Sequence, residues 1–177
     1  MALILSAATG NFNAGATWVG GIVPGAADEA RASTGHTVTI TANVTCTELS
    51  NAGTGTFVLN SGVTLTANVT NKSTTASVNC LTFSAASPAT ANIVGICTGG
   101  SVAAATGVLN NGTGSLSVTG AAVGGSFSSA AGLVLGSSGS VTLTGNATAS
   151  TGGGAGNASS GTGTFTVNGN VLAAANN

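Results

Sequence analysis

One internal repeat constrains this chain more than any other feature. Gly107-Val-Leu-Asn-Asn-Gly-Thr-Gly-Ser-Leu-Ser-Val-Thr-Gly120 is answered 25 positions later by Gly132-Leu-Val-Leu-Gly-Ser-Ser-Gly-Ser-Val-Thr-Leu-Thr-Gly145. A looser copy, ending Gly163-Thr-Phe-Thr-Val-Asn-Gly169, follows after a further 24. Each copy is a short turn and then an alternating run: Ser115–Thr119, Ser140–Thr144 and Thr164–Asn168. Alternation of apolar and hydroxyl residues with period 2 turns one face of a strand inward and the other to water. A fixed period in the twenties is the mark of a solenoid, in which each unit buries its apolar face only by stacking on its neighbour.

Composition agrees with strands and excludes several functions. Charged residues are 3% of the chain, against about 25% in ordinary globular domains. Disorder needs low hydrophobicity and high net charge; here mean hydropathy is positive and the net charge is -1. Asp28, Glu29, Arg31, Glu48 and Lys72 all lie in the first 72 residues, and beyond them only Cys80 and Cys97 can ionise. Neutralising phosphates requires Lys or Arg, and one of each excludes nucleic acid as a partner. No apolar run approaches a membrane span, so no membrane partner is expected. Met1–Ala8 is apolar but has no basic segment before it, so export by a signal peptide is not expected.

Residues 1–34 differ from the rest. Phe12, Trp18, Ile22, Val23 and Pro24 sit among glycines, and the first coil of a solenoid needs cover for its apolar end and open strand edges. This segment is read as an N-terminal cap, with Trp18 laid over the core and a turn at Pro24-Gly25. Residues 35–177 are read as the solenoid, in repeats of roughly 24–25 residues. Its first strand is Thr37–Ile40, and Val44, Cys46 and Leu49 continue inward. A polar loop is expected over Lys72–Val78 and a break at Ser87-Pro88. Asn92–Cys97, apolar at consecutive positions, reads as a strand buried on both faces. No stretch carries a helical period with caps. The fold class is therefore all-β, a parallel β-helix of roughly six coils. The alternative is an antiparallel sandwich or jelly roll, which short strands at 8–12-residue spacing also fit.

The sequence offers little for catalysis. Hydrolysis uses paired carboxylates or a nucleophile with a base, and a glycosidase needs two acids across one groove. Only Asp28, Glu29 and Glu48 could supply acids, and the sole histidine, His36, with Asp28 and a serine is the one conceivable triad. His36 reads more simply as part of the turn before Thr37. Calcium β-rolls need Asp in each Gly-rich turn, where Gly112-Thr-Gly114 and Gly161-Thr-Gly163 carry Thr. Three cysteines without a C-x-x-C pair make neither a zinc site nor a disulfide framework, and read as small apolar core residues. No catalytic, metal or cofactor site is expected.

The run from Gly10 to Ile40, with Trp18, Gly20-Gly21, Pro24-Gly25, Asp28 and Gly35-His-Thr-Val-Thr-Ile40, resembles a lead-in that precedes β-helical segments in tailed-bacteriophage virion proteins and some bacterial surface proteins. The resemblance implies a non-enzymatic virion structural protein, typically a homotrimer, made in the host cytoplasm. A capsid decoration (cement) protein bound to the major capsid protein fits the small size best. The alternatives are a tail fibre or adhesin module recognising a receptor or glycan, and a self-assembling extracellular fibre, which a cap would block. Leu3, Ile4 and Leu5 are the candidate contact residues for a subunit or the shell, the alternative being a first strand of the cap, with Phe12, Trp18 and Pro24 as candidate cap residues.

Overall fold

A computed structural model of the chain describes residues 1–86, 89–127 and 129–172. The strands are, in order, β1 (Leu3–Leu5), β2 (Gly10–Asn11), β3 (Glu29–Ala32), β4 (Thr37–Ile40), β5 (Val44–Asn51), β6 (Thr56–Leu59) and β7 (Thr64–Thr70). They continue with β8 (Leu81–Phe83), β9 (Thr90–Val94), β10 (Cys97–Thr98), β11 (Val108–Asn110), β12 (Ser115–Thr119) and β13 (Ala122–Val123). The last are β14 (Leu133–Leu135), β15 (Ser140–Thr144), β16 (Ala147–Thr148), β17 (Asn157–Ser159), β18 (Thr164–Asn168) and β19 (Val171–Leu172). Among the described residues the only helical pieces are single 3-10 turns at Gly15–Thr17 and Val19–Gly21.

The strands wind as a β-solenoid with three faces. One face is a seven-stranded sheet, β17-β14-β11-β8-β6-β4-β2. The other two are joined where β5 and β7 run on through the corner: the first half of β7 pairs with β9, and its second half with β10. One of these faces continues through β9, β12, β15 and β18, and the other carries β1, β3, β10, β13, β16 and β19. Among the described residues every strand pairing is parallel, and the only antiparallel contact is an isolated bridge between Ser6 and Trp18. The parallel ladders exclude the sandwich and jelly roll, whose neighbouring strands run antiparallel.

The repeat dictates this register. Ser115–Thr119 pairs residue for residue with Ser140–Thr144, and that strand with Thr164–Asn168. Like residues therefore stack: Leu65, Ile93, Val118 and Leu143 form one inward column. Phe57, Leu81, Val108 and Leu133 form another on the seven-stranded face. All eight are fully buried, and each such side chain stabilises by about 1.5–3 kcal/mol. The seven-stranded face means seven turns rather than the six expected. The additional turn comes from residues 1–34, which carry strands of their own, while the early turns vary in length, Gly10 pairing with Val38 after 28 residues and Val38 with Phe57 after 19. β1 and β3 pair with each other and then with β5, and β2 pairs with β4, so the ladders run through residue 34.

Asn92–Cys97 is not buried on both faces. Val94 and Ile96 are exposed, while Ile93 and Cys97 lie in the core. Gly95, at φ +153°, turns the chain between two faces, so the alternation restarts after the corner and an apolar run divides inside-outside-corner-outside-inside. A bulge between Thr45 and Glu48 explains how Cys46 and Leu49, three apart, both point inward. Lys72–Val78 is the expected loop. The break at Ser87-Pro88 and the last residues, 173–177, lie outside the described residues.

Candidate functional site

The first turn separates the six sequence candidates into two groups. Phe12 and Trp18 are each 2% exposed, and Pro24 is also buried. Their rings meet edge to face at 5.1 Å, and Trp18 Nε1 donates to the Phe12 carbonyl at 2.6 Å. Leu3 and Leu5 remain about half exposed at 48% and 40%, while Ile4, between them on β1, packs against the core. Strand alternation produces that division directly. Val19 at 56% and Ile22 at 63%, carried out by the 3-10 turns around Trp18, complete an apolar surface with Leu3 and Leu5. Together with Ala2, Ile4 and Asp28 they line an open groove of about 430 Å³. Val19 and Ile22 were not legible as contact residues, because nothing in the sequence shows which apolar residues of a Gly-rich turn face outward.

Beside this groove lies an ionic cluster containing four of the five charged side chains. Parallel pairing sets Glu29 directly beside Glu48, a placement that repulsion alone would oppose. Lys72 resolves it by reaching back from the next turn, its Nζ 2.9 Å from Glu29 Oε1 and 2.8 Å from Glu48 Oε2. Arg31 Nη2 lies 2.7 Å from Glu29 Oε1, and Ser50 Oγ donates to the same oxygen at 2.5 Å. Burial by itself would raise the Glu29 carboxyl, but the bonds from Ser50, Lys72 and Arg31 outweigh it and hold its pKa at about 2. A carboxylate held ionised in this way cannot act as a general acid near neutral pH. The chemistry of the cluster is that of a clamp joining three successive turns.

The clamp makes the protein sensitive to acid with a definite sign. A carboxyl lowered from 4.5 to about 2 on folding contributes stability that is complete above the unfolded value and lost as pH falls through the folded one. With allowance for partial solvent access, the loss between about pH 5 and pH 2 is roughly 2–3 kcal/mol. Urea midpoints measured across that range should fall for the wild type. They should fall much less for Glu29→Gln, which starts destabilised at pH 7. Parallel slopes for the two proteins would show that the cluster is not the source of the acid response.

The conceivable triad is not assembled. Asp28 accepts backbone N–H bonds from Ala2 at 3.1 Å and Gly25 at 3.0 Å, and the Gly25 bond, ahead of that from Ala2, lowers its pKa. His36 Nδ1 instead lies 2.9 Å from Ser6 Oγ. That hydroxyl also accepts the Ser33 N–H at 2.8 Å and is 3% exposed. The Ser6–His36 pair thus fastens the turn after β1 to the turn before β4, with its oxygen shielded from any substrate. Cys46, Cys80 and Cys97 are free and buried. Burial raises all three thiols, Cys46 and Cys97 to about 12, so they are poor nucleophiles. Among the described residues no group of three His, Cys, Asp or Glu side chains is placed to hold a metal ion, and no helix is long and apolar enough to cross a membrane.

No family model, curated protein or solved structure matches this chain.

Proposed function

We propose that this chain is a non-enzymatic structural protein of a tailed-phage virion, and that it decorates and stiffens the head by binding the major capsid protein, as a trimer. The observation that carries the reading is the groove of Leu3, Leu5, Val19 and Ile22. It places four large apolar side chains in water on the first turn, mounted on a scaffold clamped by the Glu29–Lys72–Glu48 cluster. Exposed apolar surface of this kind is the usual ground for protein contact. Rigidity beneath it reduces the ordering cost of binding, and many copies on one particle turn a modest contact into firm attachment. A glycan-binding module would instead call for a row of exposed aromatic faces, whereas Phe12, Trp18, Phe57 and Phe83 are all buried and Phe127, 46% exposed, stands singly.

The test is the copy number of the chain in purified particles of the encoding phage, by quantitative mass spectrometry against the major shell protein. Hundreds of copies, lost when Ile22→Asp is introduced, are expected for a decoration protein bound through the groove. A few tens of copies would replace decoration by a fibre. Absence from the particle would overturn the virion reading altogether.

A further inference from the structure

The outward residues of the face built from β9, β12, β15 and β18 form a grid with the first halves of β5 and β7. Its columns, read along the stack, are Thr90–Ser115–Ser140–Thr164, Thr64–Asn92–Ser117–Thr142–Thr166, and Thr45–Thr66–Val94–Thr119–Thr144–Asn168. Twelve of these 15 positions carry a hydroxyl, nine of them threonine. From β9 to β18 the pairing is continuous, with no register shift. The spacing is therefore set by the sheet itself: about 4.8 Å between rows and about 6.6 Å between alternate residues along a strand.

Three properties of the grid point to one kind of occupant. None of its 15 positions carries a charged side chain. Among the described residues its hydroxyls make no bond to the rest of the protein, and the one bond between them is Ser140 to Ser115 at 2.8 Å. Its residue type pairs a hydroxyl with a methyl at most positions, which fixes bound water through the oxygen while the methyl fills the space between waters. A protein partner would be recognised by shape or charge, and this face offers a repeating lattice with neither. The matching surface is one that repeats in the same two directions, and the prism plane of hexagonal ice presents oxygens in a rectangular array whose shorter repeat is close to the row spacing and whose longer repeat somewhat exceeds the spacing along the strand.

We propose that this face binds ice: its hydroxyls order a rectangular layer of water that merges with the growing prism plane, and the solenoid is thereby held on the crystal and slows its growth. The proposal is independent of the virion reading, because the grid and the apolar groove are different surfaces.

The experiment uses the full chain and measures partition into a slowly grown ice hemisphere, together with the freezing hysteresis gap. Two single variants place a lysine outward: Thr142→Lys at the middle of the grid, and Thr82→Lys on the seven-stranded face, where Thr82 is likewise outward. Circular dichroism and urea midpoints establish that each is folded. The wild type and Thr82→Lys are expected in the ice fraction, with Thr142→Lys reduced to the level of an excluded protein. Ser117→Thr, which adds a methyl to the same column, should widen the hysteresis gap. Exclusion of the wild type from ice would overturn the proposal, as would equal loss in the two lysine variants. Should Thr142→Lys prove unfolded, the Ser117→Thr result and the wild-type partition decide by themselves.

Discussion

Gly145→Ala should destabilise the protein by at least about 3 kcal/mol, whereas Gly62→Ala should cost only about 1–2 kcal/mol. Both glycines have positive φ, +145° and +74°, so both pay a conformational penalty for a side chain. They differ in what a Cβ would meet. At Gly62 the space is open. At Gly145 the new atom would fall well inside contact distance of the Gly120 carbonyl oxygen, one turn back. Gly120 stands in the same relation to Gly95, and Gly95 to the Ala67 carbonyl. These residues form a corner column in which each turn rests backbone on backbone, and the obstructing atom cannot rotate away as a side chain could. Relief would require the turns to separate, breaking the β12–β15 ladder on one side of the corner and the β13–β16 ladder on the other. Urea unfolding of the two variants beside the wild type measures the contrast. Equal losses would mean that conformational penalty alone, and not close approach between turns, requires glycine at this corner.

That corner explains how much could be read from the sequence. The 24–25-residue period is legible because Gly120, Gly145 and Gly169 recur for one steric reason, and alternation between them gives the inward columns. Where the same fold uses a different corner, the signal disappears. β5 and β7 pass through the corner without glycine, β5 pairing with β3 at an offset of 19 residues and β7 with the start of β5 at 21. The turn missing from the sequence reading lies elsewhere, in residues 1–34, whose β1, β2 and β3 stand in the ladders. Asn92–Cys97 misled for a related reason: hydropathy cannot show that Gly95 turns the chain between Val94 and Ile96.

The site was legible only in part. Alternation alone sends Leu3 and Leu5 outward and Ile4 inward. The pairing of Glu29 with Glu48 depends on a 19-residue offset that no repeat announces, and Lys72 meets them from a loop 24 residues beyond Glu48. Ser6 and His36 meet across 30 residues, with no motif to join them. The hydroxyl grid was visible one row at a time as alternating Ser and Thr. Its columns become visible only once register is fixed, because a slip of one residue would turn every hydroxyl into the core.

Trp18→Ala is the other substitution with a large expected effect, about 3–5 kcal/mol for a buried aromatic truncated to alanine. The Phe12 carbonyl would also lose the indole N–H that it now accepts, a further cost for a buried acceptor. Where the damage falls follows from the architecture. In a solenoid each turn is held by its neighbours alone, and the first turn has a neighbour on one side only. Trp18 bridges Ser6 after β1, and the Thr17 carbonyl accepts the Ala7 N–H, so loss of the indole releases β1, β2 and the 3-10 turns together. The Glu29–Arg31–Ser50 bonds then limit the spread by tying β3 to β5. Hydrogen exchange followed by mass spectrometry should show residues 3–22 exchanging freely in the variant while 108–148 keep wild-type protection. Trp18→Phe, which keeps a ring against Phe12 but removes the N–H, should fall between the two. Uniform loss of protection along the chain would contradict a turn-by-turn structure. The same variant tests the placement of the groove: Leu3, Leu5, Val19 and Ile22 are positioned by the segments that Trp18 holds, so the apolar surface should disperse while the part of the hydroxyl grid carried by β9, β12, β15 and β18, held by its own ladders, stays ordered.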